Sequence, residues 1–308
     1  MACRKVDRTI ARKIIDSIDN FLFDCDGVLW EASKEIPGSA DTIAALRKLG
    51  KKIFYITNNS GKTRSQYVEK CKSLGFHAAE EDVICTGHAA AQYIKAQNLK
   101  GKVYCVGNTS MGVELDSFGI KHFGIGPDEV PGSIEQIGIQ QHVNLDPEVS
   151  CVLVGFDPHI NYMKMTKAAS YIRKNGTLFV ATNEDTHLPL AGDLVVPGTG
   201  AVVGAIKIPA RKEPVVVGKP NSVMFDLLKK EHNLDPSRCM MVGDRSDTDI
   251  HMANLCGMDS LLVFSGDMSY DRLQDLQKSA DTDDKKLNIP KYYCDKLGDL
   301  GSFIQQFI

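Results

Sequence analysis

The feature of this sequence that most restricts its fold is a repeated alternation of short apolar runs with longer amphipathic stretches. The apolar runs are residues 21–23, 53–56, 215–217 and 240–242, and they end at or near Asp24, Thr57, Lys219 and Asp244. Runs that are apolar at every position are typical of strands buried on both faces of a parallel sheet. Stretches with helical spacing occur at 39–49, 65–74, 222–233 and 246–256, and residues 260–264 add a fifth strand. The alternation predicts an α/β fold with an open parallel sheet, whose ligand site lies beyond the carboxyl ends of the strands.

A second domain is predicted between two of these segments. Roughly 160 residues separate Thr57 from Lys219, whereas one β-α-β step takes roughly 30 residues or slightly more. The interval repeats the α/β pattern, with strands expected at 103–106, 151–154 and 178–181 and helices at 163–174 and 201–207. We therefore predict that residues 1–101 and 213–308 form the main domain and that 102–212 form an inserted α/β domain.

The charge balance and the cysteines exclude several functions. The 308 residues include 36 Lys and Arg against 39 Asp and Glu, a formal charge of -3, so no bulk positive field exists to hold nucleic acid or an anionic membrane. The longest apolar runs are far shorter than the roughly 20 residues that span a bilayer, and the N-terminus is charged where a signal peptide is apolar. Nine cysteines without a CxxC pair indicate reduced thiols. We expect a cytoplasmic protein without nucleic-acid or membrane partners.

The segment Asp24-Cys25-Asp26-Gly27 places two carboxylates directly after the first strand. Taken alone, this sequence is also a common turn. Two acids in one pocket could instead hydrolyse a phosphoester in two steps. One carboxylate attacks phosphorus, while the other protonates the departing alkoxide and later takes a proton from water. Cys25, between two negative charges, is expected to be an unreactive thiol, and Trp30 is expected to be a packing residue.

A phosphate dianion can approach several carboxylates only if positive charge lies among them. Asp24, the main-chain carbonyl of Asp26 and Asp244 offer hard oxygen ligands suited to one Mg²⁺ ion. Lys219 offers a second positive charge, although a Gly-Lys-Pro turn explains it equally well. Asp249, about one helical turn beyond Asp244, is expected to hold a metal-bound water or Lys219.

The segment after the second strand contains Thr57, Asn58 and Asn59. Their hydroxyl and amide groups are neutral donors that could orient phosphoryl oxygens and stabilise charge in the transition state. The same residues would also make an ordinary loop, so the segment alone does not decide between the two interpretations.

Four segments, residues 23–30, 56–60, 217–220 and 241–250, resemble in order and spacing the four motifs of the haloacid dehalogenase superfamily. More narrowly, they are similar to its phosphatases with a C2-type α/β cap, the group of phosphoglycolate and pyridoxal phosphate phosphatases. The resemblance implies a Rossmann-like core sheet, residues 102–212 as the cap, and a homodimer formed through the cap. The roles it implies are Asp24 as nucleophile, Asp26 as general acid and base, Thr57, Asn58, Asn59 and Lys219 as phosphate contacts, and Asp24, Asp26 and Asp244 as magnesium ligands.

Residues 181–190 resemble the cap loop that determines the substrate in this group. Pyridoxal phosphate phosphatases place a His immediately before the Pro of this loop, where the present sequence has Leu188. Leucine cannot hydrogen-bond the substituents of a pyridine ring. We therefore predict that Leu188 contacts the substrate and that His187 is a loop residue, with a one-residue shift between them as the alternative.

Together these features predict a magnesium-dependent phosphatase of small phosphomonoesters, with 2-phosphoglycolate as the first candidate substrate and glycerol phosphate as the next. Two alternatives stay open. The same chemistry could act on pyridoxal 5'-phosphate or on a phosphorylated protein, or the fold could serve as a non-catalytic binding protein. Dehalogenation is disfavoured, because Asp26, Lys219 and the metal carboxylates together suit a phosphoryl group better.

Overall fold

The computed structural model describes residues 3–129, 132–133, 143–188 and 194–308. Contacts within the chain divide it into two units. The first comprises Met1–Thr57, Arg64–Ile84 and Lys219–Ile308, and the second comprises Asn58–Thr63 and Cys85–Gly218. No helix in the described ranges is both long and apolar enough to cross a bilayer.

A parallel sheet forms the core of the first unit. Within the described ranges its strands are, in spatial order, Arg4–Lys5, Tyr292–Cys294, Asp259–Val263, Cys239–Gly243, Asn20–Phe23, Lys52–Thr57 and Val83–Cys85. The strands Cys239–Gly243 and Asn20–Phe23 are buried at every position, as expected of parallel strands covered on both faces. Phe23 lies opposite Val242 on one side and Tyr55 on the other. This register brings the carboxyl ends of three neighbouring strands to one edge of the sheet.

The helices of the first unit connect these strands. They are Arg8–Ser17, Ser39–Lys48, Arg64–Ser73, Val223–His232, His251–Leu255, Tyr270–Ser279, Asp283–Lys286 and Leu297–Ile304, with short 3-10 turns at Glu80–Asp82, Pro236–Arg238 and Gln305–Phe307. The predictions at 39–49, 65–74 and 222–233 are confirmed to within a residue at each end. The helix predicted at 246–256 instead begins as a five-residue π-helix, Ser246–Ile250, before the α-helix His251–Leu255. A two-stranded antiparallel hairpin, Trp30–Glu31 with Lys34–Glu35, follows the first strand motif.

A second parallel sheet forms the core of the second unit. Its described strands are, in spatial order, Val215–Val216, Leu178–Ala181, Val149–Val154, Lys102–Val106 and His122–Phe123. The helices are Thr86–Ala96, Thr109–Ser117, Tyr162–Arg173 and Thr199–Ala210. Tyr104, Tyr171 and Phe179 are buried in one apolar cluster between sheet and helices, with the two tyrosine rings 5.1 Å apart. The α/β pattern predicted inside the long interval is confirmed.

One predicted strand of the main sheet is wrong. Val215 and Val216 pair in parallel with Val180 and Ala181, and the hydrogen bond from Val217 N to Ala181 O, 3.0 Å, continues that pairing. These valines therefore belong to the sheet of the second unit. A run of three valines indicates a buried strand but carries no information about which of two parallel sheets receives it.

The two units divide at positions that differ from the predicted boundaries. The helix Thr86–Ala96 groups with the second unit, where His88 Nδ1 lies 3.1 Å from Glu114 Oε2 of the helix Thr109–Ser117. The boundaries at 102 and 212 remain predictions of where an inserted domain begins and ends.

Candidate active site

Lys219 lies between two carboxylates at the carboxyl edge of the first sheet. Its Nζ atom is 2.5 Å from Asp24 Oδ1 and 2.8 Å from Asp249 Oδ1, and it also donates to the carbonyl oxygen of Ile56 at 3.2 Å. Asp24 follows the strand Asn20–Phe23, and its backbone N–H donates to Val242 O at 2.9 Å, which continues the parallel pairing. The sheet register thus places the Asp24 side chain beside the strand that leads to Asp244.

Asp244 is held by a loop that the sequence analysis did not single out. The backbone N–H of Asp267 donates to Asp244 Oδ2 at 2.8 Å, and that of Met268 donates to Asp244 O at 3.1 Å. Two glycines make room for this carboxylate: a Cβ atom at Gly266 would lie 1.9 Å from Asp244 Oδ2, and one at Gly27 would lie 2.4 Å from it. Gly27 also has a φ of 84°, a conformation that other residues rarely adopt.

Asp249 uses both of its carboxylate oxygens. Oδ1 contacts Lys219, as described above, and Oδ2 accepts a hydrogen bond from the backbone N–H of Arg245 at 3.1 Å. Of the two functions predicted for this residue, the structure shows the contact with Lys219. Asp249 is 1% exposed, so this contact lies in the interior of the unit.

The three carboxylates form one cluster. One oxygen atom each from Asp24, Asp244 and Asp249 lies within 4.8 Å of the other two. Lys219 supplies one positive charge against three carboxyl groups, so the cluster is short of positive charge whenever all three are ionised. Several carboxylate oxygens at this spacing are the ligands that Mg²⁺ and Ca²⁺ prefer.

The ionisation of the cluster reflects this imbalance. Burial raises the pKa of Asp24 well above its ordinary value; Lys219 opposes that shift, and Asp249 and Asp244 add to it. Burial, followed by the charge of Asp249, raises the pKa of Asp244 to about 7. Burial alone would lower the pKa of Lys219, but Asp24 and Asp249 raise it above its ordinary value. The lysine is therefore protonated, and added positive charge in the site would favour the ionised forms of Asp24 and Asp244.

Asp26 has surroundings unlike those of Asp24. The indole Nε1–H of Trp30 donates to Asp26 Oδ1 at 2.8 Å, and Lys70 Nζ lies 3.5 Å from the same oxygen. Trp30 packs as predicted, since its ring is fully buried and lies edge-on to Phe76; the hydrogen bond from its Nε1–H to Asp26 is an addition that the sequence did not indicate. Cys25, next to Asp26, behaves as predicted, since burial and the charge of Asp24 raise the pKa of its thiol well above the ordinary value.

Asn58 is anchored within the second unit. Its Nδ2 atom lies 3.2 and 3.3 Å from the two carboxylate oxygens of Asp185. Its carbonyl oxygen accepts hydrogen bonds from Thr86 Oγ1 and Asn183 Nδ2, both at 2.6 Å. A predicted phosphate contact is therefore held by residues of the predicted substrate loop, a link that sequence patterns did not indicate.

The flanking residues of that segment occupy different environments. Thr57 is buried at the end of the strand Lys52–Thr57. Asn59 is exposed, and its Oδ1 accepts a hydrogen bond from the backbone N–H of Gly61 at 2.7 Å, which forms an Asx turn. Their roles as phosphate contacts remain predictions.

The predicted substrate loop is described as far as Leu188. The Leu188 side chain is half-buried, and its backbone N–H donates to Val196 O at 2.9 Å. His187 Nδ1 lies 2.9 Å from Thr186 Oγ1. Residues 189–193 of the loop region lie outside the described residues. The choice between Leu188 and His187 as the substrate contact stays a prediction.

The structure brings Asp24, Asp244, Asp249 and Lys219 together in the first unit. The fold and this cluster are typical of α/β enzymes whose site lies at the carboxyl edge of a parallel sheet. Comparison with family models agrees: residues 21–121 match the haloacid dehalogenase-like hydrolases, and residues 216–300 match a model described as HAD-hydrolase-like.

Alignments with named relatives cover almost the whole chain. The human glycerol-3-phosphate phosphatase is 38% identical over 307 residues, covering 97% of this chain and 94% of that protein. The chloroplastic phosphoglycolate phosphatase 1A of Arabidopsis thaliana is 39% identical over 296 residues, covering 94% of this chain and 78% of that protein. The solved glycerol phosphate phosphatase Rv1692 from Mycobacterium tuberculosis, in complex with magnesium, has a TM-score of 0.74 at 25% identity and covers 93% of this chain and 77% of that one.

The chain belongs to the haloacid dehalogenase-like hydrolases. The predicted superfamily, its α/β fold and the prediction of a phosphatase-type hydrolase are thereby confirmed. Rv1692 has been solved in complex with calcium as well as with magnesium.

Proposed function

We propose that the protein is a magnesium-dependent phosphatase of small phosphomonoesters, with 2-phosphoglycolate and glycerol phosphate as the substrates to be tested first. The observation that carries the proposal is the position of Lys219 between Asp24 and Asp249, with Asp244 in the same cluster. The names of the human and Arabidopsis relatives support the two substrates. Both are short phosphorylated alcohols or acids.

The residues present fit a divalent cation. Three carboxyl groups share the cluster with one ammonium group, and burial together with the neighbouring carboxylates raises the pKa values of Asp24 and Asp244. Asp24 and Asp244, with the carbonyl oxygen of Asp26, would hold the ion, and Asp249 would support it through Lys219. When bound, the ion offsets the negative charge of the phosphoryl group and of the carboxylates around it.

The hydrolysis we propose has two steps. In the first, an ionised oxygen of Asp24 bonds to phosphorus, the bond from phosphorus to the ester oxygen breaks, and Asp26 gives its proton to the departing alkoxide. In the second, Asp26 takes a proton from water, the water oxygen bonds to phosphorus, and the bond to Asp24 breaks. The products are the alcohol and inorganic phosphate, and both carboxyl groups return to their starting states.

Lys219 serves both steps in this proposal. Its ammonium group contacts Asp24 Oδ1 and is held in place by a second contact with Asp249 Oδ1. A fixed positive charge in a buried site stabilises negative charge that develops on the phosphoryl oxygens without reorganising during the reaction. Thr57, Asn58 and Asn59 are proposed to supply further neutral donors.

The test is phosphate release from 2-phosphoglycolate, glycerol phosphate and pyridoxal 5'-phosphate, with and without EDTA. We expect turnover that requires added Mg²⁺ and that Asp24→Asn abolishes, since an amide cannot form the acyl phosphate. The exposed Asp283→Asn, on a separate helix, is the matched control. Undiminished turnover in Asp24→Asn would end the proposed mechanism.

Two further proposals concern the setting of the enzyme. We propose that it acts in the cytoplasm, which nine cysteines without a CxxC pair support. We also propose a homodimer formed through the cap, predicted at residues 102–212, which the family resemblance supports. Fractionation of the source cells tests the first, and analytical ultracentrifugation at micromolar concentration tests the second.

A further inference from the structure

A tryptophan and a lysine surround one oxygen of Asp26. The Trp30 Nε1–H donates to Asp26 Oδ1 at 2.8 Å, and Lys70 Nζ lies 3.5 Å from the same atom. The Lys70 ammonium also lies 4.4 Å above the centre of the Trp30 ring. The three side chains therefore contact one another pairwise, which fixes each more firmly than a single contact would.

We propose that Trp30 and Lys70 are positioning residues that hold the carboxyl group of Asp26 in place for proton transfer. The proposal rests on the proposed function, in which Asp26 protonates the leaving alkoxide. Both contacts fall on Oδ1, so Oδ2 is the oxygen that carries the proton. A carboxyl group free to rotate would present this oxygen to the leaving group only part of the time.

Burial explains why these two residues suit the task. Trp30 is 0% exposed, and a buried indole N–H needs a hydrogen-bond acceptor. Asp26 is that acceptor, and the same hydrogen bond orients the Asp26 carboxyl group. The Lys70 side chain is 19% exposed, and an ammonium group above an indole face is attracted to the ring. Lys70 thus reaches Asp26 from the helix Arg64–Ser73, about 40 residues away in sequence.

A comparison of two leaving groups distinguishes a positioning role from a merely structural one. Departure of an alkoxide needs a proton, whereas p-nitrophenolate departs without one. Displacement of Asp26 should therefore slow the hydrolysis of glycerol phosphate far more than the hydrolysis of p-nitrophenyl phosphate. The value of kcat/KM reports this step, because it covers events only up to the departure of the leaving group.

The variants are Trp30→Phe, which removes the N–H and keeps an aromatic ring, and Lys70→Met, which removes the charge and keeps most of the stem. We expect each to lower kcat/KM for glycerol phosphate by about tenfold, the effect of losing one hydrogen bond. We expect kcat/KM for p-nitrophenyl phosphate to change by less than about twofold. Lys70→Arg, which keeps the positive charge, should retain most of the kcat/KM for glycerol phosphate that Lys70→Met loses. Lys72→Met, exposed on the same helix, is the matched control and should behave as the parent enzyme.

A second measurement does not depend on turnover. Trp30 is the only tryptophan in the chain, so the intrinsic fluorescence of the folded protein reports its surroundings. We expect Lys70→Met and Asp26→Asn each to change the emission maximum or intensity, and Lys72→Met to leave both as they are. Unchanged emission in the first two variants would overturn the contact on which the inference depends.

Asp26→Asn separates this inference from the proposed function. If Asp26→Asn lowers kcat/KM for glycerol phosphate more than kcat/KM for p-nitrophenyl phosphate, and Trp30→Phe and Lys70→Met do the same, the inference is supported. If Asp26→Asn shows this selectivity but Trp30→Phe and Lys70→Met lower kcat/KM equally for both substrates, or for neither, the inference is overturned and the proposed function stands. If Asp26→Asn itself shows no selectivity, the acid role of Asp26 fails, and the inference fails with it.

Discussion

Lys219 and Asp24, 195 residues apart in sequence, meet with Nζ 2.5 Å from Oδ1. Lys219 opens the last segment of the first unit, and Asp24 follows one of its central strands. Each side chain is nearly buried, at 3% and 13% exposure. A buried charge is tolerated only when an opposite charge or a set of hydrogen bonds compensates it, so the pair depends on both partners.

Replacing Lys219 by Met should damage both activity and stability. The change leaves Asp24 and Asp249 without their ammonium partner, and removing one member of a buried pair costs about 3–5 kcal/mol. We expect kcat/KM to fall on the order of 10² or more, the usual loss when one fixed charge-stabilising group is removed. Urea unfolding and phosphate release measure the two effects. Full activity in Lys219→Met would contradict the site described above.

Mg²⁺ should stabilise the protein more at alkaline than at acidic pH. Burial and the charge of Asp249 raise the pKa of Asp244 to about 7. Because this pKa is raised on folding, the native state retains the Asp244 proton up to about pH 7, and the associated stability is lost as pH rises through that value. Below pH 7 a cation must displace the proton, so its apparent affinity should fall by up to about tenfold per pH unit.

Thermal unfolding with and without Mg²⁺, from about pH 5.5 to about pH 8.5, checks this dependence. We expect the rise in Tm caused by Mg²⁺ to grow across neutral pH. In Asp244→Asn the rise should be small at every pH, because the variant has lost a ligand as well as the titrating group. A Mg²⁺ effect on the parent protein that is constant over this range would refute the prediction.

The convergence of Asp24 and Asp244 could be predicted from sequence because parallel strands place their carboxyl ends at one edge of a sheet. Lys219 was placed correctly for a partly wrong reason. The valines before it belong to the sheet of the second unit, yet the chain re-enters the first unit at Lys219 itself. A strand-end pattern thus located the residue without identifying the strand.

The supporting residues could not be predicted. Asp267 reaches Asp244 through its backbone N–H, and any residue type except proline can donate in that way. Lys70 contacts Asp26 from one face of a helix whose polar residues all resemble surface positions in the sequence. Such contacts depend on how helices and loops pack on the sheet, and hydrophobic periodicity does not record which polar side chain meets which.

Gly266→Ala should impair the site although it leaves every charged residue in place. The added Cβ would lie 1.9 Å from Asp244 Oδ2, so the carboxylate or the loop must move. We expect a raised Mg²⁺ requirement for activity, measured as the Mg²⁺ concentration that gives half-maximal turnover. Gly204→Ala is the control, since a Cβ there meets nothing within 4 Å. Equal Mg²⁺ requirements in the two variants would show that Asp244 tolerates displacement.

Asp185→Ala should weaken substrate binding if Asn58 contacts phosphate as predicted. The carboxylate accepts from Asn58 Nδ2 at 3.2 and 3.3 Å, and its loss lets the amide rotate. We expect KM for glycerol phosphate to rise by about tenfold, the effect of one hydrogen bond to a charged group. Glu184→Gln is the neighbouring control, because Glu184 pairs with Lys207 at 3.0 Å instead. An unchanged KM in Asp185→Ala would remove Asn58 from the list of phosphate contacts.

Leu188→His tests whether the substrate loop selects against pyridoxal 5'-phosphate. Leucine offers no donor to the substituents of a pyridine ring, and a site that hydrogen-bonds a substrate group discriminates more strongly than an apolar one. We expect Leu188→His to raise kcat/KM for pyridoxal 5'-phosphate relative to 2-phosphoglycolate by about tenfold. His187→Leu, one position earlier in the same loop, is the comparison that detects a one-residue shift. If His187→Leu changes the ratio of the two substrates and Leu188→His does not, His187 is the substrate contact and the prediction for Leu188 is wrong.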